Sequence, residues 1–192
     1  MRGLESGGAV GDLGRYVKFT TEDGLAIEYL HQVEAIGVQR MISLRKRHPV
    51  FRRRRFFQGR PIKGASVKDV LWLNASGNEM SEDEWRDPSL HCLGMFLSGE
   101  GLDETDERGR KLRDENFLLL FNAHHEDLGF ILPAFRAGAR WSAWMDTSRE
   151  GGLRSLETHD AGTPYPLQAR SMVVLLERRG ISKKEEPNEA LL

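Results

Sequence analysis

Hydrophobic positions recur at three- and four-residue intervals from Glu28 onward, as they do on one face of an α-helix. Pro49 disfavours a helical backbone at the residue before it, so the helix should end there. The pattern predicts a helix over residues 24–47. The residues with this spacing are Tyr29, Val33, Ile36, Arg40 and Leu44.

After Pro49 the pattern changes to short runs of aliphatic, aromatic and β-branched residues separated by turn residues. Their spacing of roughly 8–25 residues is typical of an all-β sandwich. Phe117–Phe121 and Met172–Leu176 are apolar throughout, so we expect central strands that are buried on both faces. The predicted strands are Phe56–Phe57, Val70–Leu73, Leu90–Leu97, Phe117–Asn122, Gly129–Leu132, Trp141–Asp146, Pro164–Leu167 and Ser171–Leu176.

One segment between these strands carries a helix signal. Ser81 is a typical N-cap residue, and Glu84, three residues later, can bond back to its backbone, which makes a capping box. Ser81–Trp85 is therefore predicted to form one helical turn.

The two ends of the chain lack such patterning. Residues 1–23 are Gly-rich and residues 179–192 are polar, so we expect a poorly ordered arm and a fraying tail. Between them the patterns predict a helical segment over 24–49 and an antiparallel β-sandwich over 50–178. The predicted fold class is all-β, with one helix before the sandwich.

Length and composition limit the domain organisation and the cellular location that we expect. A chain of 192 residues suits one domain, and is too short for a complete (β/α)8 barrel plus another domain. The longest apolar runs fall far short of the ~20 residues of a membrane helix, and the N-terminus lacks the apolar stretch of a secretory signal. The single cysteine, Cys92, cannot form an internal disulfide, so we expect a cytoplasmic protein in which Cys92 is a small buried hydrophobe.

The net charge of −1 hides a strong asymmetry. Residues 45–60, here called the basic segment, hold eight Lys and Arg and no acid. Residues 81–115, the acidic segment, hold eleven Asp and Glu against five Lys and Arg. The basic segment could pair with the acidic segment, pair with another domain, or bind nucleic acid through its phosphates.

Signatures of common catalytic and metal sites are missing from the sequence. There is no phosphate-binding loop, no serine-hydrolase elbow and no Cys-x-x-Cys pair. Adjacent side chains of an extended chain point apart, so His124, His125 and Glu126 are expected to form a solvent-facing turn and not a metal site. Residues 103–109 lack the ligand spacing of a calcium loop and are expected to form an acidic hairpin. We predict no metal and no cofactor.

The four tryptophans could stack on sugar rings or bases. Trp72 lies between two leucines of a predicted strand and is expected in the core. Trp141 and Trp144 are three apart on a strand and should face opposite sides. Trp85, at the end of the polar helical turn, is the tryptophan that we expect to be exposed or to fill a seam between domains.

Several segments, in order, resemble bacterial glycogen debranching enzymes. These are isoamylase-type α-1,6-glucosidases of the α-amylase superfamily, and the resemblance covers residues 41–177, at their C-terminal end. The segments that carry it are Ser43–Arg60, Asp69–Leu73, Gly77–Trp85, Leu93–Met95, Phe117–Ala123, Asp146–Thr147 and Ala169–Ser171.

The resemblance implies a C-terminal β-sandwich that packs on a catalytic (β/α)8 barrel, with the helix over 24–49 as the last barrel helix. In that family an aspartate nucleophile, a glutamate acid/base and a second aspartate act from barrel strands upstream of the matched segment. No residue of this sequence corresponds to them, so we expect a truncated chain that lacks catalytic residues and is inactive alone.

Within this interpretation Trp85 and Glu79 are the candidates for contact with an α-glucan. Arg52, Arg53, Arg54 and Arg55 are the candidates for a seam with the missing barrel, because guanidinium groups hold carboxylates and carbonyls well. A helix without its barrel would expose an apolar face, so we expect the isolated chain to self-associate.

Two other functions stay open. The sandwich alone could bind α-glucans, such as glycogen or limit dextrin, through exposed tryptophans. Residues Arg45–Arg60 could bind nucleic acid, but no nucleic-acid motif accompanies the charge, and we rank this function last.

Overall fold

The computed structural model describes residues 27–62, 68–100, 102, 104–105, 107–149 and 157–178, and the dipeptides 5–6 and 17–18. Side chains are described from Gly37 onward. Most of the predicted arm (1–23) and the whole predicted tail (179–192) lie outside the described residues. Strand β1 (Glu5–Ser6) pairs antiparallel with β2 (Val17–Lys18).

Helix α1 spans Ile27–Arg47, so the predicted helix is present and begins three residues later than expected. It ends where Pro49 requires, because His48 has an extended backbone with φ −112° and ψ 105°. A 3-10 turn, Pro49–Arg52, follows and buries Val50. No helix in the described residues has both the length and the apolar composition needed to cross a membrane.

Two antiparallel sheets follow the helix. Their strands are β3 (Val70–Leu73), β4 (Cys92–Leu97), β5 (Phe117–Asn122), β6 (Leu128–Ile131), β7 (Arg140–Asp146), β8 (Thr158–Asp160), β9 (Pro164–Leu167) and β10 (Ser171–Arg178). The larger sheet has six strands in the spatial order β3, β4, β5, β10, β7, β8, and the smaller sheet pairs β6 with β9. A short helix, α2 (Glu82–Trp85), connects β3 to β4.

The main core lies between the two sheets. Side chains at alternate positions of the larger sheet meet Phe130 and Leu132, at β6, and Tyr165 and Leu167 on β9. The arrangement is an antiparallel β-sandwich, which confirms the predicted fold class. The residues that the larger sheet contributes include Phe96, Leu118, Leu120, Trp141, Val173 and Leu175.

The opposite face of the six-stranded sheet is apolar too, but it is covered at one end only. There Leu44 of α1, Val50 and Leu102 pack on the sheet. Toward the other end the side chains on the same face are only partly buried, and we call these residues the open face. The prediction that the two apolar runs are buried on both sides is therefore correct at one end and wrong at the other. The open face consists of Leu93, Met95, Leu119, Phe121 and Met172.

Three local expectations have different outcomes. Phe56 and Phe57 form no strand, and Phe56 is 94% exposed. Trp72 is 38% exposed and not in the core, because β3 is an edge strand and Trp72 lies on the opposite face from Leu73. Trp141 is fully buried in the main core, whereas Trp144 packs against the cluster of Leu44, Val50 and Leu102 on the opposite face of the larger sheet. This confirms that the two tryptophans face opposite sides.

Candidate functional site

Two tryptophans form an exposed aromatic surface at one edge of the sandwich. Trp72 and Trp85, which we call the tryptophan surface, meet edge to face with ring centroids 5.7 Å apart and an interplanar angle of 78°. Their exposed fractions are 38% and 46%. Trp85 matches the sequence expectation, whereas Trp72 was missed because its position between two leucines resembles a core strand.

The tryptophan surface is held by the predicted capping box. Ser81 Oγ accepts from Glu84 N at 3.3 Å, and Glu84 Oε2 accepts from Ser81 N at 2.8 Å. Asn74 Nδ2 donates to Glu84 Oε1 at 2.7 Å. The backbone hydrogen bond from Ser81, followed by that from Asn74, lowers the pKa of Glu84, so the charged carboxylate that caps α2 is favoured.

The other glucan candidate, Glu79, lies between β3 and α2 in the sequence. Its backbone forms a bridge with Leu73, and its carboxylate accepts from Lys68 Nζ at 2.6 Å. Glu79 is exposed, so this ion pair is in water and is worth little for stability.

The arginines of the basic segment separate into two groups. Arg53 is internal: its side chain is 6% exposed, Nη1 lies 3.4 Å from Asp69 Oδ2, and the guanidinium stacks 4.5 Å from the ring centroid of Phe57. Arg52, Arg54 and Arg55 are exposed and line a cavity of about 480 Å³ together with Glu104 and Leu112 of the acidic segment.

The acidic segment contacts the basic segment mainly through backbone amides and a histidine. Asp114 Oδ2 accepts from Val50 N at 2.9 Å, and Oδ1 lies 2.8 Å from His48 Nδ1. Glu104 Oε1 accepts from Arg54 N at 2.7 Å. These contacts fix the path of the basic segment while leaving the guanidinium groups of Arg52 and Arg54 at the surface.

Helix α1 adds an exposed apolar stripe before the basic segment. Val38, Met41 and Ile42 are about half-exposed, while Leu44 of the same helix is buried against the sandwich. The stripe confirms that this helix would expose apolar side chains.

Residues 124–126 form a turn between β5 and β6 and do not continue the strand. One ligand atom each from His124, His125 and Glu126 lie within 4.8 Å of one another. The expected solvent-facing turn is present, with His125 and Glu126 exposed. The three side chains are nevertheless close together, because the alternation of an extended chain does not apply in a turn.

The sequence of the chain is similar to those of known proteins. A family model described as "Isoamylase, C-terminal" matches residues 69–176. A "Glycogen operon protein GlgX homolog" of Mycobacterium tuberculosis is 42% identical over 134 residues, which is 69% of this chain and 18% of that protein.

More distant relatives match in the same way. The "Isoamylase" of Pseudomonas amyloderamosa is 23% identical over 148 residues, which is 73% of this chain and 17% of that protein. "Isoamylase 2, chloroplastic" of Oryza sativa subsp. japonica is 27% identical over 103 residues, 54% of this chain and 11% of that protein. The chain thus spans less than a fifth of the length of the relatives that it matches. Because the family match covers more than half of the chain, from β3 into β10, the protein belongs to the isoamylase C-terminal domain family.

Proposed function

We propose that this chain supplies the C-terminal β-sandwich of an isoamylase-type enzyme that debranches glycogen or a related α-glucan at α-1,6 linkages. In that enzyme the sandwich packs against the catalytic barrel and contributes no residue to bond cleavage. A reducing, cytoplasmic location suits the free, buried thiol of Cys92.

The open face is the observation that carries this proposal. It presents five partly buried apolar side chains on neighbouring strands of one sheet, beside a region that α1 already covers. Apolar burial contributes about 25 cal/mol per Å². Covering this face with a second domain would therefore add stabilisation that the sandwich alone lacks, and contiguous apolar patches of this kind mark interaction surfaces.

The exposed arginines would line the seam of that interface. Guanidinium groups donate in a planar fork that suits carboxylates and carbonyl oxygens of a neighbouring domain. Arg52, Arg54 and Arg55 lie exposed along this segment, and Arg53 supports the segment from inside through Asp69 and Phe57.

The catalytic part of the proposal is tested by measuring hydrolysis. The purified chain is incubated with pullulan and with glycogen limit dextrin, and reducing ends are counted, with an intact isoamylase as the positive control. We expect no release above the buffer blank. Hydrolysis by the chain alone would show that it carries catalytic residues of its own.

The docking part is tested with a relative that lacks its own C-terminal domain. We expect the chain to bind the truncated mycobacterial homologue in a pull-down. Leu119→Lys, which places a charge on the open face, should abolish binding. Ala134→Lys, at an exposed position in the loop between β6 and β7 and outside both the open face and the basic segment, is the matched control and should bind as the unmodified chain does. Equal binding by both variants would exclude the open face as the contact.

The tryptophan surface supports a second candidate function, α-glucan binding by the sandwich itself. An exposed indole offers a flat apolar face to a sugar ring, and the capping box holds Trp85 in place against Trp72.

Affinity electrophoresis in gels that contain glycogen tests this second function. We expect retardation of the chain, reduced by Trp85→Ala and by Trp72→Ala but not by Phe56→Ala, the exposed aromatic control. Unchanged mobility in glycogen, or retardation that survives both tryptophan substitutions, would remove the proposed surface.

A further inference from the structure

Three of the six histidines of the chain lie together at one end of the larger sheet. His91 directly precedes β4, and His124 and His125 follow β5. Ala123 N donates to the carbonyl of His91 at 2.7 Å, which ties the two segments together. The rings of His91 and His124 stack with centroids 5.7 Å apart, and those of His124 and His125 are 4.2 Å apart.

The turn that carries two of these histidines is fixed by a buried side chain. Asn122 Nδ2 donates to the carbonyls of Glu126 at 3.0 Å and Gln168 at 2.9 Å, and its Oδ1 accepts from His124 N at 2.9 Å. Arg170 N donates to the carbonyl of His124 at 3.0 Å. The backbone of the turn is therefore held on both sides by the sandwich, so a ligand would have little chain to order.

The side chains of the turn offer the donors of a transition-metal site. His125 Nε2 lies 3.8 Å from Glu126 Oε1, and His124 Nδ1 lies 3.9 Å from Glu126 Oε2. A tetrahedral zinc ion with bonds of about 2.0–2.2 Å holds its ligand atoms about 3.3–3.6 Å apart. All three ligand atoms lie within 4.8 Å of one another, so side-chain rotations that bring them closer would complete the site.

We propose that His124, His125 and Glu126 bind a Zn²⁺ ion, with water at the fourth position and with His91 orienting the ring of His124. Two imidazoles and a carboxylate are a donor set that zinc accepts and that magnesium and calcium do not prefer. The site stands apart from the proposed role in debranching, since none of its residues belongs to the open face, the basic segment or the tryptophan surface.

One hydrogen bond of the turn would be replaced when the ion binds. The backbone N–H of Glu126 donates to His124 Nδ1 at 3.1 Å, so this nitrogen presents a lone pair. A zinc ion would take that lone pair in exchange for the amide hydrogen bond. The side chains of His125 and Glu126 are 66% and 71% exposed, so the site is open to an ion from solution.

Calorimetric titration of the tag-free chain with Zn²⁺ tests the site. We expect one ion per chain and a thermal unfolding midpoint that rises with the zinc concentration, because the ion binds the folded chain. His125→Ala and Glu126→Gln should each weaken binding by roughly 10-fold or more, the scale of losing a supporting group in a metal site. Both side chains are exposed, so both variants should keep the circular dichroism spectrum of the unmodified chain.

Glu82→Gln is the matched control, because it removes an even more exposed carboxylate from α2 and should bind zinc as the unmodified chain does. Magnesium should give no comparable binding. The proposal is overturned if zinc gives neither heat nor a shift in unfolding, if His125→Ala and Glu126→Gln bind as Glu82→Gln does, or if magnesium binds equally well.

Discussion

Asp69 organises the chain just before the first strand of the sandwich. Its side chain is buried and accepts from three backbone amides, those of Gln58 at 2.9 Å, Gly59 at 2.9 Å and Val70 at 3.0 Å. It also lies 3.4 Å from Arg53 Nη1. One carboxylate thus fixes the end of the basic segment, and with it the positions of the exposed arginines.

Asp69→Ala should lower the free energy of unfolding by about 2–4 kcal/mol, because hydrogen bonds to a charged group are worth ~1.5–3 kcal/mol and Arg53 loses this carboxylate. Urea denaturation followed by tryptophan fluorescence measures the change. Asp69→Asn keeps one acceptor oxygen and should lose less. An alanine variant as stable as the asparagine variant would mean that the amide bonds do not depend on this carboxylate.

At the scale of elements, the close packing of β6 over β4 depends on Gly94. A Cβ at Gly94 would lie 2.6 Å from Cζ of Phe130 and 3.4 Å from Cδ2 of Leu120. Phe130 is fully buried in the main core, so its ring cannot move aside without disturbing the packing between the sheets.

Gly94→Ala should therefore destabilise the sandwich by about 1–3 kcal/mol, the usual cost of overpacking a core. The matched control is Gly129→Ala on β6, where a Cβ would meet only the Cβ of Pro164, at an ordinary 3.4 Å. Urea midpoints compare the two variants with the unmodified chain. Equal midpoints for both variants would show that the two sheets have room to separate at Gly94.

At the scale of the whole molecule, a buried thiol and a buried phenol make the stability of the fold depend on alkaline pH. Burial raises the pKa of the Cys92 thiol to about 11. Burial, and then the charge of Asp146, raise the pKa of the Tyr165 hydroxyl. Both groups are neutral in the folded chain at pH values where the unfolded chain would ionise them, so the unfolded state gains relative stability as the pH rises.

The stabilisation that comes from keeping Cys92 neutral should accordingly be fully present below about pH 9. It should decrease progressively as the pH rises toward about 11, and the free energy of unfolding should fall with it. Unfolding midpoints by circular dichroism across this range measure the loss. Cys92→Ala should flatten the decline in that window, and Tyr165→Phe should flatten it at the upper end. A decline that is unchanged in both variants would assign it to other groups.

The exposed apolar stripe and the open face predict self-association of the isolated chain. Light scattering should give an average mass above that of a monomer and increasing with concentration. Replacing Met41 and Ile42 of α1 together by Ser should lower that mass, whereas Gln39→Ser, an exposed polar position on the same helix, should not. A clean monomer at high concentration would contradict the prediction.

The sequence by itself determined the local elements, because their signals act over a few residues. Pro49 ended α1, alternating and apolar runs placed most strands, and Ser81 with Glu84 made the capping box. The family landmarks also lie in the sequence. The end of α1, the positions of most strands and the all-β fold class could all be predicted from residues close together in the sequence.

Only the tertiary structure decided which faces of those elements are covered. Leu119 and Phe121 have the same apolar signal as Phe117, but α1 and Val50 reach only the Phe117 end of the sheet. Trp72 is exposed because β3 became an edge strand, and His124, His125 and Glu126 converge because the chain turns after β5. Burial depends on which other elements pack against a side chain, and these elements, such as α1 and Val50 for Phe117, lie far away in the sequence, beyond the reach of a local pattern.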